Sequence, residues 1–316
     1  TEIVRHTDGT VNELKGPPND LDYMQYALIN FYDFKKEDIR VLLDDQATKS
    51  NIIGNFKEWL VDKTKPGDMV LFYFSGHGSF VPDGLNCQTC IDNDESDSYD
   101  EVLLPHDFSS NLPVAERLDH LIVDDELGQM LQELKGREVI IILDSCHSGT
   151  ATRSIGNNVV SILENTPAVR SKFQPIEWPE YLMNEPAGRK QSRQIDWSFV
   201  EEVPEGQVYL TASADSQTAV EATLQPELTI GLFTNSLFYA MEAKPDSSYI
   251  ELYTTAKKHL KDVLRARQDP QIQPIGSQIV NKIAFRKSNL PLEQDSNPQE
   301  TFLIKPQFED KLLLKV

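Results

Sequence analysis

The chain has 316 residues, and 30 Lys and Arg against 50 Asp and Glu give it a formal charge of −20. That balance argues against nucleic acid or an anionic membrane as a partner, because both repel acid, and favours a basic partner or substrate. Hydrophobic residues at 39% suffice for a sizeable core, while 15 Gly and 18 Pro are too few for a low-complexity chain.

In chain order, Leu21, Met24, Leu28 and Phe31 recur at helical spacing after Asn19 and Asp20, either of which can cap a first turn. Ile39 to Leu43 reads as a short buried strand, and Ile52, Ile53, Phe56 and Leu60 as a second helix after Thr48. Past the Pro66-Gly67-Asp68 turn, Met69 to Phe74 reads as a strand ending in Ser75-Gly76-His77-Gly78. Residues 82 to 101 are polar and acidic and read as a loop. Leu127, Met130, Leu131 and Leu134 mark a helix begun by Asp124-Asp125, whose carboxylates suit the positive end of the helix dipole. Glu138 to Leu143 is the most apolar strand and ends in Asp144-Ser145-Cys146-His147-Ser148-Gly149.

Residues 150 to about 206 show no sustained period, which is long for a structural connection and marks a functional or disordered loop. A strand from Gln207 to Ser213 follows, then helices over Leu232 to Met241 and Tyr249 to Val263, then a Pro-rich polar tail from about 287. Continuous apolar strands alternating with helices imply an α/β fold whose mostly parallel sheet is covered on both faces. The apolar runs at 69–74 and 139–143 are far shorter than the ~18 residues that span a bilayer, and the first twenty residues lack an apolar leader core. Three cysteines are a poor disulfide framework and suit a reducing compartment, so a cytoplasmic location is expected. Cys87 and Cys90 are spaced Cys-x2-Cys, but no second pair completes a zinc site, and they read as a loop pair or a redox-labile pair.

In an open parallel sheet ligands bind beyond the carboxyl ends of the strands. If the two most apolar strands are neighbours, His77 and Cys146 face each other there as a thiol and the base that would activate it. The amides of Gly78 and Cys146 are then candidate donors to an oxyanion, and glycine at 76 and 78 allows close backbone approach. His147 is the competing base, disfavoured because neighbouring side chains on extended backbone point opposite ways. The same alternation puts Asp144 on the face of Cys146 and Ser75 on that of His77, which makes Asp144 a candidate to bind a Lys or Arg side chain.

Ser75-Gly76-His77-Gly78 and Asp144-Ser145-Cys146-His147-Ser148-Gly149 resemble the histidine and cysteine motifs of the metacaspases and of their prokaryotic relatives, the orthocaspases, with the prokaryotic type favoured. Leu14 to Asp20, Asp100 to Pro105, Asp124 to Glu126 and Ala212 to Gln217 resemble further family segments, so the likeness runs from about residue 14 to 286. It implies a caspase-like three-layer fold over residues 1–286, followed by a C-terminal extension over 287–316. It also implies a cysteine endopeptidase that cuts peptides or proteins after Arg or Lys, with Asp20, Ser75 and Asp144 lining the acidic specificity pocket. An inactive caspase-like scaffold that binds basic peptides is the rival reading.

Two departures from the family pattern stand out. Thr1 to Glu13 lacks the apolar first strand, and the family's acidic residue seven positions after the cysteine is Arg153 here. A cation at a ligand position opposes calcium, so no cofactor is expected to be required. Asp124 and Asp125 are then weak metal candidates, and Asp92, Asp94, Glu95, Asp97 and Asp100 read as a solvated acidic loop. Self-cleavage is expected in the long loop, where Arg153, Arg170, Arg189, Lys190 and Arg193 match the specificity.

Overall fold

The computed structural model describes residues 13–82, 99–146, 169–179, 204–214 and 217–286. Helix α1 (Pro17–Phe31) opens with proline, whose fixed φ suits a helix start where no amide partner is lost. It begins ahead of the expected caps. The Asn19 side chain instead donates to the Thr229 carbonyl at 2.6 Å, and Asp20 is wholly buried. Ile39 to Leu43 has extended backbone at both ends, but it joins no sheet among the described residues and none of the five is buried. Its apolarity satisfies a strand's composition without supplying the edge a strand must pair with. Helix α2 (Lys49–Asn55) starts at Thr48, whose hydroxyl accepts from the Asn51 amide at 3.2 Å, and continues in π-type turns from Phe56 to Asp62.

Strands β1 (Met69–Ser75), β2 (Gly78–Pro82) and β3 (Tyr99–Leu103) precede a one-turn helix α3 (Val114–Arg117) and the two-residue β4 (Ile122–Val123). Helix α4 (Asp124–Gln132) follows, with three acids in its first turn. Strands β5 (Glu138–Asp144), β6 (Val169–Ser171), β7 (Gln207–Thr211), β8 (Val220–Gln225) and β9 (Leu228–Gly231) lead to helices α5 (Leu232–Ala243) and α6 (Tyr249–Lys258). Strand β10 (Gln271–Gln273) completes the central sheet.

That sheet runs β1-β5-β7-β10, with the first three strands parallel and β10 antiparallel. Alternation along β5 feeds two cores. Ile140 and Ile142 pack with α1, α5 and α6, whereas Val139, Ile141 and Leu143 pack with α2 and α4. These five side chains are at most 1% exposed, and each contributes roughly 1.5–3 kcal/mol by leaving water. The fold is therefore the expected α/β arrangement in three layers, a mostly parallel sheet with helices on both faces. No helix among the described residues is long and apolar enough to cross a membrane.

Two antiparallel sheets, β2-β3-β4 and β6-β8-β9, accompany the central one and meet where Gly78 bridges to Phe173. Asp100, expected in a solvated loop, is buried instead, because β3 pairs with β2 and sets it opposite Val81. The remaining acids of that loop, Cys87 and Cys90, lie outside the described residues, as do His147, Arg153, Arg189, Lys190, Arg193 and the 287–316 extension.

Candidate active site

Strands β1 and β5 are neighbours in register, Ser75 opposite Asp144, so the segments that follow them emerge side by side from one end of the sheet. The Gly76 amide reaches the Asp144 carbonyl at 3.4 Å. A side chain at Gly78 would put its Cβ 1.7 Å from the Cys146 carbonyl oxygen, so only glycine permits this contact. His77, between these glycines, is half-buried, and its carbonyl accepts from the Leu104 amide at 3.0 Å.

Cys146 is wholly buried. Its Sγ accepts from the Ala219 amide at 2.9 Å and donates to the Ala219 carbonyl at 3.3 Å. Burial pushes the thiol pKa well up, outweighing the Ala219 amide and the Lys172 charge, which favour thiolate. The resting sulfur is a neutral thiol.

Asp20, Ser75 and Asp144 come together although they belong to α1, β1 and β5. The Ser75 hydroxyl donates to Asp20 Oδ2 at 2.6 Å, and Asp20 Oδ1 accepts from the Gly231 amide at 2.7 Å. Asp144 Oδ2 accepts from the Thr234 amide at 3.1 Å and the Thr234 hydroxyl at 2.6 Å. The occupant of this pocket is a residue that sequence reasoning passed over. Lys172 Nζ lies 2.9 Å from Asp20 Oδ2, 3.0 Å from Asp144 Oδ1, 2.9 Å from Ser75 Oγ and 3.1 Å from the Asp144 carbonyl.

Lys172 is itself wholly buried. Burial alone would lower the ammonium pKa, but Asp144 and Asp20 outweigh it and the net shift is upward, so the lysine stays charged. Asp20 is raised to about 6, first by burial and then by Asp144, with Lys172 partly offsetting both.

The backbone around Lys172 is held like a bound peptide. Its carbonyl accepts from the Gly78 amide at 2.9 Å, its amide donates to the Ala219 carbonyl at 2.9 Å, and the Gln174 amide donates to the Gly78 carbonyl at 3.0 Å. Upstream, β6 adds to β8 as an antiparallel strand, the manner in which extended peptides join sheet edges. Gly78, one of the two expected oxyanion donors, is thus already engaged by a carbonyl.

Gly231 closes the pocket. A Cβ there would stand 2.2 Å from Asp144 Oδ2 and 2.6 Å from Lys172 Nζ. Arg170, a sequence candidate for self-cleavage, is not in the pocket, and its guanidinium pairs with Glu221 at 3.1 Å. Asp124 is buried in the first turn of α4, and no group of three or more His, Cys, Asp or Glu among the described residues can hold a metal ion.

Lys172 and Gly231 leave little trace in the sequence. Lys172 stands in an aperiodic stretch, and Gly231 differs from other glycines only through what surrounds it.

Residues 5–154 match the family model described as metacaspase, peptidase C14 domain. The chain is 28% identical over 302 residues to metacaspase-1B of Neosartorya fischeri, covering 87% of this chain and 69% of that protein. It is 29% identical over 288 residues to metacaspase-1A of Aspergillus terreus, covering 84% and 67%. To metacaspase-1 of Pyricularia oryzae it is 38% identical over 150 residues, covering 45% and 34%. A solved Geobacter sulfurreducens protein shares the fold at a TM-score of 0.57 and 19% identity, covering 90% of this chain and 94% of that one.

Proposed function

We propose, from the match of residues 5–154 to the metacaspase peptidase C14 model, that the chain is a caspase-like cysteine endopeptidase cutting after Lys or Arg with Cys146 as nucleophile and His77 as base. The observation that carries this reading is the seat of Lys172, a basic side chain wholly buried between Asp20, Ser75 and Asp144 with its carbonyl on the Gly78 amide.

His77 takes the Cys146 proton as the sulfur adds to the carbonyl carbon of the basic residue, and the Gly78 and Cys146 amides hold the resulting oxyanion. The C–N bond breaks, His77 protonates the leaving amine, and water activated by the same imidazole hydrolyses the thioester. Burial keeps the thiol neutral until a substrate displaces it from Ala219, so proton transfer accompanies attack rather than preceding it.

The Lys172–Phe173 bond is the first candidate for self-cleavage on this reading. Lys172 fills the pocket, so a second basic side chain enters only when residues 169–173 leave, by cutting or by displacement. A peptidyl-Arg covalent inactivator tests the reading on the native chain and on Lys172→Ala, whose pocket is vacated. Labelling that disappears on Cys146→Ala is the expected result. An absence of labelling in both chains would leave the basic-peptide scaffold as the better account.

A further inference from the structure

The pocket for Lys172 is not the only buried acid that the β6 segment meets. Glu221, on β8, is wholly buried and directly opposite Arg170 in the β6–β8 pairing. Strand β6 ends at Ser171 and the chain bends at Lys172, yet Arg170 and Lys172, two residues apart, both reach buried acids. Lys172 meets Asp20 and Asp144, and Arg170 meets Glu221 at 3.1 Å. The two acidic sites therefore receive side chains two residues apart on one segment.

Glu221 is held by the framework rather than by the segment. Its Oε1 and Oε2 accept from the Lys15 amide at 2.9 and 3.1 Å, and Oε2 accepts from the Gly16 amide at 2.7 Å. A Cβ at Gly16 would stand 2.7 Å from Oε2, so glycine is what lets the backbone close on the carboxylate. These residues lead directly into α1, which carries Asp20, so both acidic sites share one support. Among the described residues the one cation paired with Glu221 is the Arg170 guanidinium, which comes from the segment itself.

We infer that Glu221 is a second acidic subsite, selecting substrates with arginine two residues before the Lys or Arg at the cut. The inference rests on the endopeptidase reading above. When an incoming peptide replaces residues 169–172, Glu221 loses its cation, and a carboxylate left buried and unpaired is costly. An arriving arginine at that position restores the pair, whereas glutamine or alanine does not.

The test compares kcat/KM of the native enzyme on fluorogenic Val-Arg-Ser-Lys, Val-Gln-Ser-Lys and Val-Arg-Ser-Gln peptides. The arginine peptide is expected to exceed its Val-Gln-Ser-Lys counterpart by about tenfold, the value of one charge-assisted bond. In Glu221→Gln that preference shrinks to about twofold or less while the preference for Lys over Gln at the cut persists, with thermal unfolding confirming the fold. Equal rates on the first two peptides with the native enzyme would overturn the subsite and leave the peptidase reading standing. Cleavage of neither lysine peptide by the native enzyme or by Lys172→Ala would overturn both.

Discussion

On the α2/α4 side of the central sheet, β5 buries Val139, Ile141 and Leu143 and remains hydrocarbon to its end. On the α1/α5 side, Ile140 and Ile142 are followed at the same spacing by Asp144 and Cys146. One face holds the fold by shape and excluded water. The other ends in two buried carboxylates, Asp20 and Asp144, that need a cation. In the resting chain Lys172 supplies it. The difference teaches that occupancy of the pocket and stability of the structure are linked on one face only, and that whatever displaces Lys172 must bring a positive charge of its own.

The largest effect that separates the faces is catalytic. Cys146→Ala and His77→Ala are expected to abolish peptide turnover while the chain still folds cooperatively, whereas His147→Ala keeps most activity. A His147 variant as inactive as the His77 variant, with its fold intact, would reassign the base.

A matched pair of substitutions on β5 sharpens the contrast. Ile141→Ala removes a wholly buried side chain on the hydrocarbon face and is expected to cost ~2–5 kcal/mol in denaturant unfolding, without altering the preference for Lys or Arg. Asp144→Asn keeps the volume and removes the charge. It is expected to lower kcat/KM on those substrates by roughly ten- to a hundredfold, the ~1.5–3 kcal/mol of a hydrogen bond to a charged group. If Asp144→Asn cleaves at the native rate, or if Ile141→Ala changes selectivity, the division of labour between the faces is wrong.

How much of this is readable in the amino-acid sequence follows the same division. Strands β1 and β5 are continuous apolar runs, and a carboxylate and a thiol that prolong one such run are visible in the order of residues alone. Alternation suffices to place Asp144. Asp20 is legible as a helix-start residue, but its burial depends on Gly231, more than two hundred residues away, and its assignment to the pocket rests on family likeness. Strand β6 has three residues and no period of its own, and it exists as a strand because β8 offers an edge. Lys172 is invisible for that reason, since a solvated loop lysine and a buried pocket lysine read alike when long-range pairing decides between them. Ile39 to Leu43 shows the converse, a strand by composition that meets no edge among the described residues.

The smallest effect concerns pH and singles out Asp20. Its carboxyl is raised from 3.8 to about 6, by burial first and then by the nearby Asp144, against the pull of Lys172. The folded chain thus holds this proton more tightly than the unfolded chain. The contribution to stability is fully present below about pH 3.8 and is lost as the pH rises through about 6. Function runs the other way. On the proposed specificity, Asp20 helps to hold a lysine or arginine above about pH 6 and turns neutral below it, so KM for basic peptides is expected to rise as the pH falls. Denaturant unfolding and KM measured at steps from about pH 4 to pH 7 test both signs against Asp20→Asn, in which the two slopes should be reduced together. Unchanged slopes in that variant would mean that another group titrates there and that Asp20 is already ionised throughout, with Lys172 outweighing its burial.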